Sequence, residues 1–271
     1  IHARFEPTGT DTGRFSSKKP NLQNIGRGKL RGCFAPADGS SLVVADYSQV
    51  ELRVAAVIAN EERMIEAYKN GEDLHRQTAS IVLGKPVEDI SKEDRQLAKA
   101  VNFGLLYGQS AKGLVGYAKK AYGVEMDDER AQDIRGRFFS AYTGLWEWHK
   151  NARKMAAEGT QSVHTVLGRK RWLPEEKDAE WFRFVALLNT PVQGGSADAL
   201  KQAMVNLADK LPNTASIVST VHDELIVECA SDTAEEVKAL LETAMLDAVQ
   251  TMFPGVRFEV EAGICESWAE K

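Results

Sequence analysis

The sequence predicts an α+β fold in which a strand-built domain is interrupted by a mainly helical insertion. Short β-branched runs lie near the start, at Ser41-Leu42-Val43-Val44-Ala45-Asp46, and near the end, at Ile217-Val218-Ser219-Thr220-Val221 and Leu225-Ile226-Val227. Their length, branching and polar borders read as buried strands. From about residue 60 to 185 the apolar residues recur with a helical period instead. Strands at both ends with helices between them make a split sheet domain, not an alternating α/β one.

The elements follow in order. Gly9, Gly13, Pro20, Gly26 and Gly28 among polar residues make the first thirty positions loop-rich. After the strand ending at Asp46, Ser48 is placed to cap a helix beginning near Gln49, with Glu51 closing a capping box. Gly71, Gly84-Lys85-Pro86, Gly108, Gly123 and Gly168 divide the helical region, and residues 165–172 read as a small hairpin inside it. A further helix is predicted over 197–211, stopping at Pro212. The run around His222-Asp223 reads as a tight hairpin whose turn presents the acid. A helix over 233–252 ends before Pro254-Gly255, and alternation over 257–262 predicts a last strand.

Composition bounds the possibilities. The chain has 271 residues and a net charge of −5, ordinary for a globular protein, with no apolar stretch long enough to span a bilayer and no signal segment. Cys33, Cys229 and Cys265 have no metal-binding spacing and suit a reducing compartment. The expectation is therefore a cytoplasmic, non-secreted location. The first residue is Ile1 and the sequence opens directly into structured-looking segments, so a piece of something longer is expected. Charge is uneven. Residues 1–31 carry Arg4, Arg14, Lys18, Lys19, Arg27, Lys29 and Arg31 for a net +5, whereas residues 231–271 are net −6. One basic face, with nucleic acid as a candidate partner, is consistent with this asymmetry, and so are plain solvated charges.

Two aspartates at strand tips carry the first chemical signal. Asp46 and Asp223 each sit where a rigid element meets a turn, and two such carboxylates side by side would repel unless a divalent cation lay between them. A structural pair, a nuclease and a polymerase all remain open on this observation alone. The second signal is a helix predicted from Ser91 (N-cap) to Gly108 (C′). On it Arg95, Lys99, Phe103 and Tyr107 recur every four residues, forming one stripe. Two cations and then two aromatics suit the phosphates and the sugar or base of a nucleoside triphosphate. A surface helix with core aromatics would show the same spacing.

With these residues in view, the chain resembles family A DNA polymerases, the bacterial DNA polymerase I type. Asp46-Tyr47-Ser48-Gln49-Val50-Glu51-Leu52-Arg53, the helix from Arg95 to Gly108, and Val221-His222-Asp223-Glu224 resemble that family's motifs A, B and C in order. Thr12-Gly13-Arg14-Phe15-Ser16-Ser17, Pro20-Asn21-Leu22-Gln23-Asn24-Ile25 and Asn189-Thr190-Pro191-Val192-Gln193-Gly194-Gly195-Ser196-Ala197-Asp198 add to the resemblance. It covers essentially the whole chain. It implies a palm over 1–59 and 186–271, fingers over 60–185, and a thumb absent from this chain.

The resemblance also implies roles. Asp46 and Asp223, with the main-chain carbonyl of Tyr47, would hold two Mg²⁺ ions, and Glu224 would assist. Arg95 and Lys99 would bind the triphosphate, Lys99 also giving a proton to pyrophosphate, and His75 would add a phosphate contact. Glu51 would act as a steric gate against a ribose 2′-hydroxyl. Phe103 would pack on the incoming sugar and Tyr107 on the templating pair. Arg14, Gln193, Asn189 and His222 would contact primer–template DNA, with Gln49 supporting them. Lys18, Lys19 and Arg31 would meet phosphates.

Two departures stand out. Gly26 replaces the family's usual Pro, and Val185 stands where some members carry an arginine, with Arg183 two residues earlier as a candidate substitute. The expected activity is template-directed addition of dNTPs by a monomeric part of a longer polymerase. The rivals are a catalytically incompetent DNA-binding fragment and a single-subunit RNA polymerase.

Overall fold

The computed structural model describes residues 1–26 and 28–270; Arg27, one of the opening cations, and Lys271 lie outside the described residues. A hairpin of β1 (Arg4–Glu6) and β2 (Ser16–Lys18) opens the chain, within the stretch the sequence marks as loop-rich. Then come β3 (Ser40–Tyr47), α1 (Val50–Ile58), α2 (Glu62–Lys69), α3 (Leu74–Leu83) and α4 (Lys92–Leu106). Next are α5 (Ala111–Tyr122), α6 (Asp128–Ala141), α7 (Thr143–Ala157), β4 (Ser162–His164), β5 (Lys170–Trp172) and α8 (Glu180–Asn189). A π-helical turn, Thr190–Gly194, leads into α9 (Gly195–Ala208). The chain closes with β6 (Ala215–Val221), β7 (Glu224–Ala230), α10 (Ala234–Met252) and β8 (Val260–Cys265). This is the α+β arrangement expected. No helix of the described residues is long and apolar enough to cross a membrane.

The chain divides into two compact units. The first comprises Ile1–Val50, Gln193–Pro254 and Phe258–Lys271. Its centre is a four-stranded antiparallel sheet in the order β6-β7-β3-β8. Val43, Val44 and Ala45 are fully buried because β3 is an inner strand. Each valine contributes about 1.5–3 kcal/mol by burial. One face of β3 meets α10, where the Tyr47 hydroxyl donates to the Met245 carbonyl at 2.7 Å. On the other face Leu42 and Val44 pack with Val221, Ile226, Cys265 and Trp268.

The second unit comprises Glu51–Val192 and Gly255–Arg257 and is mainly helical. Its α4 packs against α3 and α5. Gly104 lets α5 approach, since a Cβ there would lie 2.9 Å from Leu114 and 3.1 Å from Tyr117. Gly108 (φ 84°) takes the left-handed conformation that ends the helix, as the sequence predicts.

Several boundaries shift. The helix after β3 starts at Val50, not Gln49, because Gln49 has φ 52° and cannot be the first helical residue of a Ser48-capped turn. The expected capping box at Ser48 and Glu51 is therefore corrected. The hairpin expected over 165–172 uses Ser162–His164 as its first strand, with 165–169 as its turn. The helix expected over 197–211 runs Gly195–Ala208. The last strand begins at Val260, because Phe258 is instead buried against Phe253.

Candidate active site

Within the first unit, antiparallel pairing places the two aspartates at the same end of neighbouring strands. Asp46 lies opposite Glu224 in the β3–β7 register, and the Tyr47 N–H donates to the Asp223 carbonyl at 3.4 Å. Asp223 and His222 form the two-residue turn between β6 and β7. His222 has φ 58° and is exposed, in the turn position that chemistry usually gives to glycine. Such a backbone state costs of order 1 kcal/mol for a residue with a Cβ. Asp46 and Asp223 are half-buried. Burial, and behind it the Asp223 charge, push the Tyr47 phenol far above its ordinary value.

Among the described residues no group of three or more His, Cys, Asp or Glu side chains is arranged to hold a metal. Two carboxylates with a main-chain carbonyl are nonetheless hard oxygen donors, which fit Mg²⁺ with its remaining positions filled by water and phosphate.

Glu224 is placed differently from the aspartates. It is 5% exposed, and its Oε1 accepts from the Trp268 indole at 2.8 Å and lies 3.7 Å from Arg31 Nη1. The Arg31 guanidinium in turn stacks over Trp268 at 4.1 Å. Buried charges require such partners, and breaking a pair of this kind costs several kcal/mol. Arg31 is thus corrected: it is 6% exposed and committed to the protein, not offered to phosphates. Lys18 and Lys19 are exposed, although Lys18 pairs with Glu6 at 2.8 Å. Arg14 follows Gly13 (φ 79°) and is half-buried, its carbonyl accepting from Thr10 at 2.9 Å. In this unit Lys201 of α9 holds the opening hairpin through the Pro7 carbonyl at 2.7 Å. Gln193 and Gln49 are half-buried.

Within the second unit, Arg95, Lys99, Phe103 and Tyr107 do share one half-buried face, while Leu97, Ala98, Val101, Leu105 and Leu106 fill the interior. The aromatics of the stripe are therefore not core residues. Ser91 caps α4 with Asp94 in a reciprocal capping box. The Tyr107 hydroxyl donates a hydrogen bond to Glu51. The first turn of α1 is thus tied to the end of α4, a contact that sequence spacing cannot reveal. His75 is buried, with Nδ1 2.9 Å from Asn102 Nδ2 and its ring 6.2 Å from that of Phe103. Asn189 is half-buried at the end of α8. Arg183 does not stand in for an arginine at Val185: it is buried and donates to the carbonyls of Ala156, Pro174 and Glu176.

Asp73 joins this face through Arg95, a contact that the sequence does not reveal. It caps α3 through the amides of His75 and Arg76 and accepts from Arg95 Nε at 2.7 Å. The capping signal was present as an acidic residue directly before a helical run. Burial by itself would raise the Asp73 pKa, but the Arg95 hydrogen bond, the Arg76 amide and the Arg95 charge outweigh it and leave it lowered. A carboxyl lowered on folding stabilises the fold above its unfolded value, about 3.9, and loses that contribution as pH falls through the folded value. Asp73→Asn keeps the cap but removes the charge. It is expected to destabilise at neutral pH by under about 1 kcal/mol, because the pair is a third exposed. The difference from the parent should shrink as pH falls through the lowered folded value, and urea melts at neutral and acid pH check it.

Residues 1–270 match the family model described as DNA polymerase family A. The chain is 45% identical over 274 residues to DNA polymerase I of Aquifex aeolicus (strain VF5), covering 100% of this chain and 46% of that protein. It is 38% identical over 285 residues to the thermostable DNA polymerase I of Thermus thermophilus, covering 99% of this chain and 32% of that protein. Among solved structures, it is similar to the POL domain of Pol1 from M. smegmatis in complex with DNA primer-template and dNTP. That similarity has a TM-score of 0.89 at 33% identity, over 99% of this chain and 48% of that one. The chain spans less than half the length of each of these relatives.

Proposed function

The chain belongs to DNA polymerase family A, and from that premise we propose that it performs template-directed addition of dNTPs to a primer 3′-hydroxyl, releasing pyrophosphate. The observation that carries the proposal is that one chain presents paired strand-tip aspartates, Asp46 and Asp223, and a helix face of Arg95, Lys99, Phe103 and Tyr107. Residues 1–59 and 186–271 are read as palm and residues 60–185 as fingers.

Asp46, Asp223 and the Tyr47 carbonyl would hold the Mg²⁺ ions. When bound, such ions supply activation of the attacking hydroxyl and neutralisation of the leaving phosphates. Arg95 and Lys99 would bind the triphosphate as charge-assisted donors, with Arg95 pre-oriented by Asp73. Lys99 would also hand a proton to the departing pyrophosphate. Phe103 would pack on the sugar, Tyr107 on the templating pair, and Glu51 would occupy the space of a 2′-hydroxyl. Glu224, held by Trp268 and Arg31, would fix the hairpin that carries Asp223.

Primer–template DNA is the proposed partner. Arg14 and Gln193 would touch minor-groove acceptors, which are alike in all correct pairs, so shape is checked without reading sequence. His222 and Asn189 would contact the primer–template end, supported by Gln49. Primer extension with matched dNTP and rNTP pools tests the proposal. Extension with a preference for dNTPs is expected. A preference for rNTPs would favour an RNA polymerase, and DNA binding without extension an incompetent fragment.

A further inference from the structure

Four buried polar side chains in the helical unit form one hydrogen-bonded line. Tyr142 OH lies 2.8 Å from Thr78 Oγ1, Thr78 Oγ1 lies 3.0 Å from Asn102 Oδ1, and Asn102 Nδ2 lies 2.9 Å from His75 Nδ1. All four residues are at most 2% exposed. Tyr142 ends α6, Thr78 and His75 belong to α3, and Asn102 belongs to α4.

Protons could run along this line in two directions, and only one gives each proton within the line an acceptor. Suppose the Asn102 carbonyl faced His75. Its amide would then donate to Thr78 and Thr78 to Tyr142, leaving the phenolic proton with no acceptor among the described residues. A buried donor without a partner costs about 1–3 kcal/mol. In the opposite order Tyr142 donates to Thr78, Thr78 to Asn102 Oδ1, and Asn102 Nδ2 to His75 Nδ1. Burial pushes the Tyr142 phenol up to about 12, so its proton is retained. A ring nitrogen that accepts carries no hydrogen, which leaves the imidazole proton on Nε2.

Charge agrees with this ordering. Burial, and then Arg95 and Lys99, disfavour an imidazolium, while Asp73 opposes them; the His75 pKa is brought down to about 4. The ring is neutral at neutral pH.

We propose that Tyr142, Thr78 and Asn102 are positioning residues that lock His75 as the Nε2–H tautomer, an uncharged hydrogen-bond donor to a phosphate oxygen of the incoming nucleotide. This rests on the reading of the Arg95–Lys99 face as a triphosphate site. An uncharged donor adds direction to that site without a third full positive charge to hold back the departing pyrophosphate.

Long-range ¹H–¹⁵N spectra of the whole chain without nucleotide test the ordering, with His75→Gln assigning the signal. A single Nε2–H pattern at neutral pH is expected; an Nδ1–H or imidazolium pattern overturns the proposal. Thr78→Val breaks the line at nearly constant volume. It should give mixed tautomers and raise the apparent dNTP KM about three- to tenfold with little change in kcat. Thr78→Ser should restore both. An unchanged tautomer in Thr78→Val, or no restoration by Thr78→Ser, overturns the positioning role. Should the valine variant not fold, Asn102→Asp replaces it. A carboxylate there accepts from Nδ1–H and should reverse the tautomer, and persistence of Nε2–H overturns the proposal. Adding inorganic triphosphate should shift the His75 Nε2 signal, and no shift overturns the phosphate contact. Failure of the parent chain to extend a primer would count against the proposed activity, which the nucleotide-free spectra do not depend on.

Discussion

Asp223→Asn is expected to abolish primer extension while leaving the fold near normal. The residue occupies the turn between β6 and β7 and is half-buried, so asparagine, equally at home in turns, fits the same backbone. The hairpin's ladder hydrogen bonds come from the main chain and are untouched. What disappears is one of the two aspartate charges at the sheet end. If that charge holds a divalent cation, its loss removes several kcal/mol of transition-state stabilisation, a fall of roughly 10³-fold or more. Single-turnover extension and a thermal melt measure the two halves of this expectation. Extension within about tenfold of the parent would take Asp223 out of the catalytic role.

Glu51→Ala should increase ribonucleotide incorporation, lowering the preference for dNTPs by about 10- to 200-fold, the range a single packing contact can supply. Glu51 stands on the first turn of α1, half-buried, and accepts the Tyr107 hydroxyl. That bond replaces the helix-capping role the sequence offers for Glu51 and holds the carboxylate in one place. Rigidity is what a steric gate requires, since a mobile side chain would yield to a 2′-hydroxyl. Tyr107→Phe keeps the ring and removes the anchor, so it should loosen discrimination less than Glu51→Ala does. Competitive incorporation of matched rNTP and dNTP gives both ratios. An unchanged preference in Glu51→Ala would mean that Glu51 is not the gate.

The strands and the α4 stripe were legible because they depend on local periodicity. Residues spaced by four must share a helix face, and β-branched apolar runs must seek a core. Asp46 and Asp223 were readable as strand-tip acids for the same reason. Less legible were features fixed by partners remote in sequence. Arg31 looked like an exposed cation, yet it is buried with Glu224 and Trp268, nearly two hundred and more than two hundred residues away. Arg183 looked available to DNA, yet three carbonyls hold it. The helix starts after Gln49 because Gln49 itself, two residues past β3, is left-handed, which no propensity encodes.

The sequence by itself determined the fold class, the order of motifs and the identities of the acids, cations and aromatics. Each of these is written in local pattern, and together they carried the resemblance to family A. Only the tertiary structure decided which charges are buried against partners within the protein, as Arg31 and Arg183 are. It also brought Tyr142, Thr78, Asn102 and His75 into one hydrogen-bonded line. The physical reason is that burial and hydrogen-bond direction depend on partners far along the chain. A cation on a surface and a cation in a core have the same letter, and only the fold says what surrounds it.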